Sequence, residues 1–148
     1  MTTEVFAISN QKGGVGKTTT AVNLATALSC LNKKILVIDL DPQGNATVSF
    51  GQKRALGGAS SYSVLTGQTP ISAAILKTNI PNLSVIPASQ ELLGIDLELA
   101  GTQMPQFYLK KALEQAQDFD YIFIDCPPAV GLLTLNALVA ATRILIPI

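Results

Sequence analysis

The chain contains short apolar runs that alternate with segments of helical periodicity. Continuous apolar runs at 5–8, 35–38 and 121–124 are typical of strands that are covered on both faces. A shorter run at 83–87 predicts another strand, and 143–148 repeats the buried-strand pattern. Because strands alternate with helices, the pattern predicts an α/β fold, a three-layer sandwich around a mostly parallel sheet.

Helices are predicted where apolar residues recur at three- and four-residue spacing. The clearest one runs from about Gly16 to Leu31, so strand, helix and strand form a right-handed βαβ unit. Its first loop is then expected at the carboxyl edge of the sheet. The other predicted helices are shorter and cover 61–65, 71–76, 91–100, 107–116 and a stretch that begins within 129–138.

Composition supports one globular domain over residues 1–148, with 48% hydrophobic and 14% charged residues. Ten basic and ten acidic side chains cancel, so overall charge does not favour nucleic acid or a membrane surface as a partner. The two cysteines, Cys30 and Cys126, stand alone in apolar surroundings and are expected to be reduced core thiols. Without a signal-peptide pattern or a membrane-spanning run, a cytoplasmic location is expected.

A glycine-rich segment joins the first strand to the first helix and reads NQKGGVGKTTT from 10 to 20. Its glycines let backbone N–H groups turn inward on an anion, and the helix start adds unpaired donors and a positive dipole end. Lys17 supplies a mobile charge for terminal phosphates, and the Thr18 hydroxyl suits Mg²⁺. This order favours a phosphate-binding loop over a solvated basic turn. The residues assigned to the loop are Lys12, Gly13, Gly14, Val15, Gly16, Lys17, Thr18 and Thr19.

Two aspartates end the second predicted strand, within the sequence DLDPQGNAT at 39–47. If the extended geometry continues, Asp39 and Asp41 lie on the same side of the chain. Taken alone, they are more simply explained as turn formers before Pro42. The preceding βαβ unit directs them toward the crevice of the phosphate loop, which favours a functional role.

A third carboxylate, Asp125, ends the apolar run at 121–124. An apolar strand that ends in an acidic residue is the Walker B pattern, which places a carboxylate near nucleotide-bound Mg²⁺. A strand-terminal Asp more often caps a turn or a helix. In a chain that already holds a phosphate loop, the metal role is favoured.

These motifs resemble those of the ParA/MinD superfamily of ATPases. Position 11 holds Gln where G-x-x-x-x-G-K-[ST] requires Gly, and Lys12 precedes the glycine pair, as in that superfamily's deviant Walker A motif. Residues 39–45 resemble its D-x-D-P-Q-G-N motif, and C-P-P at 126–128 resembles the chromosome-partitioning branch. The chain thus looks like a ParA/Soj-type partitioning ATPase over essentially its whole length.

The resemblance implies ATP and Mg²⁺ as ligands. Lys17 would neutralise the phosphates of its own subunit, and Lys12 would reach across a dimer to those of the partner. Asp41 would position or activate the attacking water, while Asp39 would help to hold the hydration shell of the metal. Lys12, Lys17 and Asp41 are then the catalytic residues, and Thr18, Asp39 and Asp125 are the metal residues.

The resemblance also implies an ATP-driven dimerisation switch that binds non-specific DNA, is stimulated by a ParB-like partner and associates with the nucleoid. Family members continue well beyond this length, so an N-terminal piece is expected, with the C-terminal part of the fold missing and one side of the sheet exposed. Three alternatives stay open: a MinD-like division-site ATPase, an iron–sulfur cluster carrier or reductase, and an inactive fragment.

Overall fold

A computed structural model describes residues 2–10 and 16–148 of the chain. Its strands are β1 (Glu4–Ile8), β2 (Ile35–Asp39), β3 (Leu76–Lys77), β4 (Leu83–Ile86), β5 (Tyr121–Asp125) and β6 (Arg143–Leu145). Its helices are α1 (Lys17–Cys30), α2 (Asn45–Ser49), α3 (Ser61–Leu65), α4 (Ile71–Ala74), α5 (Ile95–Leu99), α6 (Tyr108–Leu113) and α7 (Leu132–Ala140).

The strands of the described part form one sheet in the order β3-β4-β2-β5-β1-β6. All neighbours pair in parallel except β3 and β4. The predicted βαβ unit is present: β1, α1 and β2 follow one another, and β5 lies between the two strands. The mostly parallel sheet predicted from the apolar runs is therefore confirmed.

Alternation of side chains along the strands creates two cores, one on each face of the sheet. In β2, Ile35 and Val37 pack on the α1 and α2 side, whereas Leu36 and Ile38 pack on the side of α3 to α7. All four are buried, which explains why this strand reads as a continuous apolar run. The fold is thus a three-layer α/β sandwich.

Several predicted elements differ in detail. The helix predicted at 71–76 ends at Ala74, because Ile75 turns extended and Leu76 enters the short strand β3. The helix predicted at 91–100 is a 3-10 turn over Gln90–Gly94 followed by α5, and the change falls at a glycine.

Strand β6 does not have the buried character that its apolar sequence predicts. Arg143 and Ile144 are exposed, and Leu145 is half-buried. Among the described strands, β6 pairs only with β1 and forms one edge of the sheet, so it lacks the second neighbour that buries the central strands.

Helix α1 packs on the sheet through small side chains. Its buried residues are Ala21, Ala25 and Ser29, while Leu24 and Leu31, which directly follows the helix, are exposed. Cys30, expected in the core, is exposed at the end of this helix, and only Cys126 is buried. Small residues let the helix backbone approach the sheet closely. In the described ranges, no helix is long and apolar enough to cross a membrane.

Candidate functional site

The candidate site lies at the carboxyl ends of β1, β2 and β5, where the sheet register brings the predicted functional residues together. Asp39 at the end of β2 is in register with Asp125 at the end of β5. Asp125 is also in register with Ile8, the last residue of β1. Since α1 begins shortly after β1, its first turn and both strand-terminal carboxylates meet at one edge of the sheet.

The phosphate-loop prediction falls partly outside the described residues. Lys12, Gly13, Gly14 and Val15 lie in the undescribed range, so their assignments as ligands stay predictions. Gly16 is described and adopts φ of 78° at the N-cap of α1, a left-handed conformation that favours glycine.

Helix α1 starts from this glycine. The Thr20 N–H donates to the Gly16 carbonyl oxygen at 2.8 Å. The preceding amides belong to the first turn, whose N–H groups have no acceptor within a helix and can therefore donate to an anion. Thr19 is exposed on this turn.

Lys17 and Thr18 both contact Asp125. The Lys17 ammonium forms a hydrogen-bonded ion pair with Asp125 Oδ1. The Thr18 hydroxyl donates to the other oxygen, Asp125 Oδ2, at 3.0 Å. The Asp125 side chain has no exposed surface, whereas 10% of the Lys17 side chain is exposed. A cation, a hydroxyl and a buried carboxylate are therefore in direct contact.

Burial raises the pKa of Asp125, because the charged carboxylate loses hydration. The charge of Lys17 and the hydrogen bonds from Lys17 and Thr18 oppose this shift but do not cancel it. The ionised form of Asp125 therefore depends on neighbouring positive charge.

Asp41 faces the same cluster from the turn after β2. Its Oδ2 lies 4.0 Å from Lys17 Nζ, and its Oδ1 accepts the Gln43 N–H at 3.0 Å. Asp41 and Gln43 also line a cavity of about 510 Å³ together with Arg54 and Pro127. The Asp41 carboxylate thus lies close to Lys17 and also borders this cavity.

Asp39 has a different environment. Its Oδ1 accepts the Asp41 N–H at 3.0 Å, and its Oδ2 accepts the Thr47 N–H at 2.9 Å and the Thr47 hydroxyl at 2.6 Å. Burial raises the pKa of Asp39 from 3.8 to about 6; the Thr47 hydroxyl opposes the rise and the nearby Asp125 charge adds to it. Both oxygens of this carboxylate thus hold the turn between β2 and α2.

Two residues that the sequence did not single out complete this turn. Thr47 is fully buried and links Asp39 to the end of β4, because its hydroxyl also accepts the Ala88 N–H at 3.0 Å. Arg54 is half-buried and donates from Nη1 to the Pro42 carbonyl oxygen at 3.1 Å. Asn45 to Ser49 form α2, which the sequence pattern did not predict; Gly44 at its N-cap was the local signal.

The donor set suits a hard divalent cation. The Thr18 hydroxyl and the Asp125 carboxylate present oxygens 3.0 Å apart, and oxygen is the ligand that Mg²⁺ prefers. Within the described residues, no group of three or more His, Cys, Asp and Glu side chains could hold a metal by itself. A cation here would therefore complete its shell with water and phosphate, as Mg²⁺ commonly does.

A parallel sheet, a helix that starts from a glycine-rich loop, and Lys17, Thr18 and Asp125 in contact at the carboxyl edge together define a P-loop nucleotide-binding domain. The comparison with protein families agrees with this class. Residues 3–148 match the family model described as an AAA domain (AAA_31), and the chain belongs to this family.

Curated relatives of the chain include a protein named as a sporulation inhibitor and proteins named for chromosome partitioning. It is 47% identical to the sporulation initiation inhibitor protein Soj of Bacillus subtilis (strain 168), over 98% of this chain and 58% of Soj. It is 45% identical to the chromosome partitioning protein ParA of Caulobacter vibrioides (strain NA1000 / CB15N), over 97% of this chain and 55% of ParA. The chain therefore spans little more than half the length of these relatives.

Solved structures share the fold closely. Cobyrinic acid a,c-diamide synthase of Mycobacterium smegmatis, with bound ATP analogue and magnesium, superposes with a TM-score of 0.95 and is 40% identical, over 99% of this chain and 60% of that chain. A Cyanothece McdA variant in complex with ATP gives a TM-score of 0.90 at 29% identity, over 98% of this chain and 56% of that chain.

Proposed function

We propose that this chain is the nucleotide-binding part of a Mg²⁺-dependent ATPase that acts as a dimerisation switch in chromosome or plasmid partitioning. The observation that carries the proposal is the convergence of Lys17, Thr18, Asp41 and Asp125 at the start of α1. The structures with bound ATP, ATP analogue and magnesium support the choice of nucleotide and metal.

In this proposal, the first turn of α1 and Lys17 bind the phosphates of ATP. The helix start presents backbone N–H groups, and Lys17 exchanges its contact with Asp125 for the phosphate charge. Thr18 and Asp125 would hold Mg²⁺, and the bound ion would supply positive charge to the phosphate oxygens. Asp39 is proposed to help hold the hydration shell of the metal, and its oxygens also hold the turn that carries Asp41.

Asp41 orients the attacking water. Its Oδ1 is fixed by the Gln43 N–H, and its Oδ2 faces Lys17 next to the cavity. A carboxylate held in this way positions a nucleophile without reorganising, which is the main contribution a protein makes to phosphoryl transfer. Lys12 is proposed to add a second cation across a dimer, where charge develops in the transition state.

The finer assignments rest on the resemblance of the sequence motifs to the ParA/MinD superfamily. They are the ATP-dependent homodimer, non-specific DNA binding, nucleoid association and stimulation by a ParB-like partner. The residues that bind DNA are proposed to lie in the part of the relatives that this chain does not span. The D-P-Q-G-N and C-P-P segments favour partitioning over the MinD-like alternative.

The complete protein containing this chain provides the test. Asp41→Ala should bind ATP with affinity close to wild type, lose about 100-fold or more in kcat, and remain a dimer with ATP by light scattering. Asp118→Ala, which removes an exposed carboxylate, is the matched control and should behave as wild type. Wild-type turnover by Asp41→Ala would contradict the assignment of Asp41.

Lys12→Ala tests the dimer. It should retain substantial nucleotide binding but lose closure of the dimer and the hydrolysis that a ParB-like partner stimulates. Mixing Lys12→Ala subunits with Asp41→Ala subunits then tests whether hydrolysis depends on a lysine from the other subunit. Sedimentation with DNA and with lipid vesicles, each with ATP, separates partitioning from a MinD-like function. Binding to vesicles but not to DNA would overturn the partitioning proposal.

A further inference from the structure

Arg54 contacts the turn that carries Asp41, although in the sequence it is simply paired with a second basic residue, Lys53. Its Nη1 donates to the Pro42 carbonyl oxygen at 3.1 Å, and its side chain is half-buried. The neighbouring basic residue, Lys53, is exposed. The pair is therefore unequal, and Arg54 alone is directed toward the candidate site.

The aliphatic stem of Arg54 covers Gly44. A Cβ built on Gly44 would overlap Arg54 Cγ and would lie 2.6 Å from Arg54 Cδ, so no side chain fits there with Arg54 in place. Gly44 also has φ of 71°, a left-handed conformation that suits the N-cap of α2. Arg54 thus contacts the turn at two points: it donates a hydrogen bond to the Pro42 carbonyl oxygen, and its stem packs over Gly44.

The backbone beside Arg54 is itself fixed. The Ala55 N–H donates to the Ala88 carbonyl oxygen at 2.9 Å, and Ala55 forms an isolated parallel bridge with Ser89. Arg54 is therefore presented from a segment that is paired with the chain just after β4. Through Arg54, the turn is therefore linked to the segment that follows β4.

The turn that Arg54 contacts sets the orientation of Asp41. The Gly44 N–H donates to the Asp41 carbonyl oxygen at 2.9 Å, and the Gln43 N–H donates to Asp41 Oδ1 at 3.0 Å. Pro42 and Gly44, which Arg54 contacts, flank Gln43 in this turn. Asp41 and Arg54 line the same cavity of about 510 Å³.

We propose that Arg54 is a positioning residue for Asp41, acting through the Pro42 carbonyl and the face of Gly44. The inference rests on the proposed ATPase function for its catalytic consequence, and on the described contacts for its structural part. Loss of Arg54 should loosen the turn and misplace the Asp41 carboxylate, while the phosphate-binding residues at the start of α1 stay in place.

Four variants of the complete protein separate the two contacts. Arg54→Ala removes both, Arg54→Met keeps a stem over Gly44 but loses the donor, and Arg54→Lys keeps the stem and the charge. Lys53→Ala is the matched control, since it removes an equal charge from an exposed neighbour.

The first measurement is amide hydrogen exchange at residues 43–48 without nucleotide. Arg54→Ala should exchange about 3- to 10-fold faster there than wild type, and Lys53→Ala should not change the exchange. The second measurement is kinetic: Arg54→Ala should lower kcat about 10-fold or more, with the Kd for ATP within about threefold of wild type. Arg54→Met should fall between Arg54→Ala and wild type, because it keeps the packing over Gly44, and Arg54→Lys should recover more of the loss.

Gly44→Ala gives an independent check. Its Cβ displaces the Arg54 stem in the wild-type background, so its effect on kcat should be smaller when Arg54 is already Ala.

The proposal is overturned by unchanged exchange in Arg54→Ala, by faster exchange with wild-type kcat, or by an equal effect of Lys53→Ala. The wild-type protein could fail to hydrolyse ATP while Arg54→Ala still exchanges faster at residues 43–48. In that case the proposed function fails, and the role of Arg54 in holding the turn is supported.

Discussion

Asp39 and Thr47 are joined by two hydrogen bonds to the same oxygen, one from the Thr47 hydroxyl at 2.6 Å and one from its backbone N–H at 2.9 Å. Both side chains are fully buried. Because the Thr47 hydroxyl also accepts the Ala88 N–H, this pair ties the end of β2, the start of α2 and the end of β4 into one unit. The turn that carries Asp41 is built on this unit.

The first prediction concerns Thr47. Thr47→Val keeps the volume but removes the hydroxyl, which leaves the buried Ala88 N–H without its acceptor and Asp39 with one donor fewer. The free energy of unfolding should fall by about 1–3 kcal/mol, measured by urea denaturation. Burial raises the pKa of Asp39, and the lost hydroxyl bond opposed that rise, so the pKa should climb further in the variant.

Two controls accompany this prediction. Thr47→Ser retains the hydroxyl and should stay closer to wild type than Thr47→Val does. Ser49→Ala removes an exposed hydroxyl from the same helix and should change the stability by about 0.5 kcal/mol or less. Wild-type stability of Thr47→Val together with a loss in Thr47→Ser would show that methyl packing, and not the hydroxyl, is responsible.

Much of the fold could be predicted because its signals are local. The runs at 5–8, 35–38 and 121–124 lie in strands that are covered on both faces, so their sequences are unbroken apolar runs. This pattern was sufficient to predict the central strands and the βαβ unit. Strand β6 carries the same pattern at the edge of the sheet, where only β1 covers it among the described strands. Pattern alone does not distinguish an edge from a centre.

The site residues that could be predicted from the sequence are those that belong to recognisable motifs. The structure brings together Lys17, Thr18, Asp41 and Asp125, which all belong to recognisable segments. Thr47 and Arg54 act through contacts with Asp39 and Pro42 that depend on the folded turn. A threonine within a short helix and an arginine beside a lysine have no periodic signal, so only the three-dimensional structure reveals them.

The second prediction concerns the ion pair between Lys17 and Asp125. Lys17→Met leaves the fully buried Asp125 carboxylate without its cation, so the nucleotide-free protein should lose about 3 kcal/mol of unfolding free energy. The double variant Lys17→Met/Asp125→Asn should lose less than the sum of the single variants, because no unpaired charge remains buried. Urea denaturation without nucleotide or Mg²⁺ measures both.

The exposed ion pair between Arg143 and Glu4, with 3.6 Å between Nε and Oε2, provides the comparison. Arg143→Met should change the stability by about 1 kcal/mol or less, because solvent screens this pair. If Lys17→Met were as mild as Arg143→Met, then Lys17 would not be the group that compensates the buried charge of Asp125.

The third prediction concerns the two cysteines, which differ in environment although both stand in apolar sequence. Burial and the neighbouring charge of Asp125 raise the pKa of Cys126 to about 12, whereas Cys30 is exposed at the end of α1. Since the thiolate is the reactive form, iodoacetamide at about pH 8 should label Cys30 in the folded protein and leave Cys126 unlabelled. Both should be labelled in denaturant, as read by peptide mass spectrometry.

The variant Lys17→Met provides a control. It removes a positive charge that lowers the pKa of Cys126, so it should not speed the labelling of Cys126 unless it unfolds the chain. Fast labelling of Cys126 in the folded wild type would contradict the buried position of the segment that follows β5.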